Sequence, residues 1–130
     1  MSDSVERGDE RIMKAIDTKV VLDSISALWS PRTVAVMNDY DVRLVKVHGE
    51  FTRHAHPETD ELFFLLSGRL VIKMDDRDIE LSPGQLFVVP RGLHHQPVSS
   101  EGAEVLLVEP STTVNTGDTP SALTVERITT

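Results

Sequence analysis

The sequence predicts an all-β domain, a sandwich or barrel, with one short helix ahead of it. Three observations lead there. Short runs rich in Val, Leu and Ile recur between Arg32 and Pro110, separated by Asn-Asp, Ser-Gly and Pro-Gly turn signals. Aromatic residues make up only 5% of the chain, so branched aliphatic side chains carry the core. A length of 130 residues suits one domain with a single buried core.

The first segment, residues 1–16, opens with Asp3, Glu6, Arg7, Asp9, Glu10 and Arg11 and is expected to form a flexible arm. Its start is polar and acidic rather than basic then apolar, unlike a secretory leader. Residues 17–110 form the expected domain body. Val20, Val21, Ile25, Leu28 and Trp29 recur at helical spacing, which predicts a short helix over 17–29 that Pro31 ends.

The β signals begin at Arg32. Thr33 to Met37 reads as a strand, Asn38-Asp39 as a turn, and Val42 to Val47 as the return strand, broken at Gly49. Glu61 to Leu66 is strongly apolar, Ser67-Gly68 turns, and Leu70 to Met74 follows. A polar loop, Asp75 to Asp78, leads back to Ile79-Glu80-Leu81. After Ser82-Pro83-Gly84 comes a buried-strand candidate, Leu86 to Val89, ended by Pro90. Ala103 to Val108 is the last clear strand. Residues 111–130 then turn polar, which predicts a C-terminal tail that is either mobile or packed on a partner subunit.

The charge balance excludes several function classes. Lys and Arg total 13 against 21 Asp and Glu, a formal net charge of -8. Such a chain is a poor ligand for nucleic acid, whose phosphates need a basic surface. It is equally poor for an anionic membrane surface. No apolar run approaches the ~20 residues of a membrane span. There are no cysteines, which rules out disulfides, thiolate zinc sites and Cys nucleophiles and fits a cytoplasmic location.

One constellation carries chemistry. His54-Ala-His56 is followed by Glu61, and His94-His95 lies downstream. On a strand, residues two apart point to the same face, so both imidazoles of the first motif can reach one point. Glu61 follows a turn around Pro57 and re-enters a strand, so it can face back toward them. His94 and His95 are adjacent and face opposite sides on a regular strand, so only one enters the site. Imidazole and carboxylate together suit Fe, Mn, Ni, Cu or Zn.

These motifs resemble those of a single-domain cupin. The first cupin motif is matched by His54, His56, Glu61 and Gly68 with the family's spacing, and the second by Gly84, Pro90, Gly92 and His95. Two positions depart from it. Four residues separate Gly49 from His54 where the family has five, and Ser99 stands where the second motif ends in Asn. The resemblance implies a double-stranded β-helix, or jelly-roll, barrel. It implies a homodimer and one divalent transition-metal ion, iron, manganese, nickel or zinc, on His54, His56, Glu61 and His95, and so selects His95 over His94. Small cupins of this kind also look like those grouped with mannose-6-phosphate isomerases, whose larger sites this chain cannot supply.

The expected function is a metal-binding protein, an enzyme acting on a small polar or anionic metabolite. Metal-assisted isomerisation or lyase chemistry and O2-dependent oxidation are both open. The alternative is a non-catalytic, metal-dependent sugar or metabolite binder, favoured by the lack of a clear acid–base residue beside the ligands. Lys46, Arg53 and Arg91 are candidates for holding an anionic substrate, and Glu58 and Asp60 for orienting an imidazole. The plainer reading makes all five solvated surface charges. His48 and His94 read as structural or surface residues, Phe63, Phe64 and Phe87 as core, and Trp29 as an anchor for the helix.

Overall fold

Residues 13–129 are described by a computed structural model. Most of the expected N-terminal arm, residues 1–12, lies outside them. Helix α1 spans Thr18–Asp23. Eight strands follow: β1 Arg32–Met37, β2 Tyr40–Glu50, β3 Glu61–Gly68, β4 Leu70–Met74, β5 Asp78–Leu81, β6 Leu86–Val89, β7 His95–Pro110 and β8 Ile128–Thr129. Among the described residues no helix is long and apolar enough to cross a membrane.

The helix is shorter than its apolar spacing predicts. Asp17 caps it by accepting from the N–H groups of Lys19 and Val20. It buries Leu22 and, just beyond its end, Ile25, against Val34 and Leu44. Val20 and Leu28, part of the helical pattern in the sequence, are exposed instead. Trp29 explains the early end. Its backbone takes φ 60, its N–H donates to Lys46 O at 2.8 Å, and its indole N–H donates to His48 O at 3.0 Å. Its ring stacks on Phe51 at 4.9 Å. These tertiary bonds pull Trp29 out of helical conformation and anchor the segment to β2.

Strand β7 organises the sheet. Its first residues pair with β4, its later ones with β3, and β2 runs along its other edge. The register with β2 slips between Val47 and Gly49, where β7 bends around Ser99 to Gly102. The two segments read separately in the sequence, one beginning at His95 and one at Ala103, are thus one bent strand. Gly68 packs against this bend at φ +85, and a Cβ there would lie 2.1 Å from Gly102 O. Ser99 closes the corner where the cupin motif has Asn. Its hydroxyl donates to Arg69 O and accepts from Gly102 N–H.

The hydrogen-bonded order is β5-β4-β7-β2-β1-β8, with β3 attached to β7 and β6 attached to β3. The ladder does not close into a ring, so the jelly roll is open along β5, β6 and β8 among the described residues. Inward residues of both halves, including Val45, Phe63, Leu65, Leu70, Ile72 and Val105, form the main core. By the area rule each such side chain stabilises the fold by about 1.5–3 kcal/mol.

The polar segment after Pro110 packs on its own chain. Thr116 is fully buried, Arg127 reaches Asp41, and β8 pairs in parallel with β1.

Candidate metal centre

Strand parity and one short bridge assemble the site. His54 and His95 exchange backbone hydrogen bonds, His54 N–H to His95 O at 3.0 Å and His95 N–H to His54 O at 2.8 Å. Gly92 N–H donates to His56 O at 2.9 Å, which fixes the Pro90–Gly92 turn beside the same stretch. Glu61 opens β3, paired to Val89.

The four side chains converge. One ligand atom from each of His54, His56, Glu61 and His95 lies within 4.8 Å of the others, and all four residues are buried. The His54 and His95 ring centroids are 4.4 Å apart, and those of His54 and His56 4.8 Å. Glu61 Oε1 lies 3.1 Å from His56 Nε2 and 3.3 Å from His95 Nε2.

The outer nitrogens set the tautomers. His54 Nδ1 lies 2.8 Å from Thr52 O, and His95 Nδ1 lies 3.0 Å from Leu93 O. A carbonyl only accepts, so each Nδ1 carries the proton and each Nε2 offers a lone pair inward. Such bonds orient metal-binding imidazoles. His54 Nε2 and His56 Nε2 are buried without a hydrogen-bond partner among the described residues. Two inward-facing orphan nitrogens beside a carboxylate fit one metal ion.

Electrostatics favour the same state. Burial, helped by His95, pushes His54 down to about 4, so it is neutral near pH 7. Burial pushes Glu61 up, but the His56 and His95 rings beside it outweigh that and hold the carboxylate below its usual range. Burial, and then the neighbouring Glu61, hold Glu109 well above the usual range.

Glu109 was not singled out from the sequence, yet it belongs to the surroundings of the site. Arg43 Nη1 donates to its Oε2 at 2.8 Å, while Arg43 Nε and Nη2 reach Asp41 Oδ2. Asp41 also accepts from Thr33, Ser111 and Arg127. Burial pushes Asp41 up, and these donors more than reverse it. A signal existed: Asp41 and Arg43 share the inward parity of Val45 and Val47, and Glu109 that of Val105 and Leu107.

Beside the ligands lies a cavity of about 40 Å³, enough for a few water-sized molecules. Its walls include Trp29, Phe51, Phe63, Leu70 and Leu107, and its polar groups are His54, Glu61, Glu109 and Asn115. No Lys or Arg lines it.

The basic residues considered for an anionic substrate lie elsewhere. Arg53 pairs with Asp75, and Arg91 pairs with Asp60 at 3.2 Å. Lys46 borders an outer groove with Lys19 and Glu104. Asp60 is engaged by the Arg91 backbone and side chain rather than by an imidazole, and Glu58 is exposed. His94 points away from the cluster, with Nε2 3.9 Å from Asp118 Oδ2, and His48 faces Ser100 O.

Comparison with known proteins gives a family match. The Cupin domain (Cupin_2) family model matches residues 42–109. The fold is similar to the crystal structure of a cupin-2 domain containing protein from Shewanella frigidimarina, with a TM-score of 0.74 and 40% identity. That match covers 75% of this chain and 96% of the other. The uncharacterized protein YdbB of Bacillus subtilis is 35% identical over 78 residues, 59% of this chain and 69% of that protein. Acireductone dioxygenase of Bacillus velezensis is 26% identical over 111 residues, 82% of this chain. This chain spans only 62% of that enzyme's length.

Proposed function

This chain belongs to the Cupin domain family, and from that premise we propose that it is a metal-dependent oxidase or oxygenase of a small metabolite. His54, His56, Glu61 and His95 would hold one divalent transition metal. The observation that carries this reading is the pair of orphan imidazole nitrogens, His54 Nε2 and His56 Nε2, facing a buried carboxylate.

When bound, such an ion supplies Lewis acidity and open positions for a chelating substrate and O2. The chain's own residues do the rest. Thr52 O and Leu93 O hold the two outer ring protons, which keeps the ligand lone pairs aimed inward. The size of the cavity beside the ligands suits a diatomic reactant better than a whole metabolite. Two things favour oxidation over isomerisation of an anion. The cavity has no cationic side chain, and one relative is a dioxygenase. The second reading, a non-catalytic metabolite binder, draws on Arg43 engaging Glu109, the carboxyl that lines the cavity with Glu61.

The first test is metal content after loading with Fe(II), Mn(II), Ni(II) or Zn(II). Alanine at His54, His56, Glu61 or His95 should lower it, while His94→Ala should retain it. Equal loss in His94→Ala would sink the ligand assignment. O2 uptake by the anaerobically reconstituted Fe(II) protein, measured across a metabolite library, then separates oxidation from binding alone. Tight binding without uptake would favour the second reading.

A homodimer is part of the same proposal. Leu62 and Phe64 on β3, with Leu86 and Val88 on β6, form neighbouring cross-strand pairs on an incompletely buried outer face. A second copy could cover it. Light scattering at micromolar concentration should give a dimer, and Leu86→Glu a monomer. A monomer in the parent protein would reject it.

A further inference from the structure

We infer that the segment after Pro110 is a working part of the metal centre, in which Asp118 and Gly117 are positioning residues for His54 and His56. The inference rests on the metal reading above. Residues 111–129 lie beyond the family match, which ends at 109.

Both backbone groups of Ala55 are taken by Asp118. The Ala55 N–H donates to Asp118 Oδ1 at 2.9 Å, and the Asp118 N–H donates to Ala55 O at 3.0 Å. In an extended chain, successive residues turn their N–H and C=O groups to opposite edges. His54 uses one edge to pair with His95, and Ala55 uses the other to meet Asp118. The rotation of the His-Ala-His stretch about its own axis is therefore fixed from both edges. That rotation decides where both imidazoles point.

Gly117 brings the segment against the ligand itself. Its φ is +55, and a Cβ there would lie 2.2 Å from Ala55 O and 2.9 Å from His54 Cδ2. Only glycine fits both the backbone and the gap. The clamp is anchored on either side. Thr116 is fully buried and its hydroxyl meets Thr124 at 2.6 Å. The Asn115 amide donates to Leu123 O and accepts from Val125 N–H. Arg127 ties the far end to Asp41.

The test uses Co(II) as the probe, with affinity read by chelator competition and site geometry by the visible spectrum. Asp118→Ala should weaken Co(II) binding by about tenfold or more, the range typical of residues that orient ligands, and alter the spectrum. Asp118→Asn should restore both, because an amide oxygen still accepts from Ala55 N–H. Gly117→Ala should weaken binding further. Unchanged affinity and spectrum in Asp118→Ala, with His56→Ala abolishing binding, would overturn the clamp while leaving the metal site intact. If the parent protein binds no Co(II), the metal reading fails. The clamp is then judged in the metal-free protein by amide exchange at Ala55 and by the ring resonances of His54 and His56. Faster exchange and shifted rings in Asp118→Ala would uphold it, and no change would overturn it.

Discussion

Arg43→Met should be among the most destabilising single changes in this chain. Arg43 is 3% exposed and donates to Asp41, Glu109 and the carbonyls of Ser111 and Thr113. Asp41 would keep Thr33, Ser111 and Arg127 as donors. Glu109 would lose its only basic side-chain partner among the described residues while sitting beside Glu61. Breaking a buried ion pair from one side costs about 3–5 kcal/mol. With an unfolding entropy of roughly 2.1 cal/mol/K per residue, a chain of this length melts about 11–18 °C lower. Glu109→Gln is the control. Its amide oxygen still accepts from Arg43, so it should cost about 1 kcal/mol. Urea and thermal melts of the metal-free protein measure both. A loss below about 1 kcal/mol for Arg43→Met, or equal losses in the two variants, would refute the reasoning.

Acid should weaken the metal-free protein before its carboxylates titrate. His54 drops from 6.5 to about 4 on folding, so between those values the unfolded chain binds a proton that the native one refuses. Stability is then unaffected above the higher value and falls as pH drops through the window, by about 3 kcal/mol in all. Urea midpoints at pH 7 and pH 4.5 for the parent and His54→Gln test this, and equal pH slopes would contradict it. Gly68→Ala should cost more than the ~1–2 kcal/mol of left-handed backbone alone, because its Cβ meets Gly102 O. A melting temperature within about 4 °C of the parent, roughly the effect of 1 kcal/mol, would mean the β7 corner yields.

Much of the fold was legible because its signals are local. Alternating aliphatic runs and the turns between them marked the strand segments from Thr33 to Val108, and the turn residues separated them. The helix was misjudged in length because Trp29 answers to Lys46 O and His48 O, partners seventeen and nineteen residues away. The bend that joins the last two strand segments was hidden for the same reason, since Ser99 and Gly102 work against Arg69 and Gly68. The candidate ligands were legible through two spaced motifs. The proposed anionic contacts were not, because a lone arginine carries no record of its partner, and Asp75 and Asp60 neutralise Arg53 and Arg91.

The sequence by itself determined which residues could bind a metal, since side-chain chemistry and a two-residue strand period are properties of the chain alone. It also determined the family, through the order and spacing of two motifs. Only the tertiary structure decided what surrounds them. It set Glu109 beside Glu61, tied Glu109 to Asp41 through Arg43, and folded the polar C-terminal segment back onto Ala55. Those contacts span tens of residues. Their energies depend on burial and on distances of about 3 Å, neither of which any local pattern records.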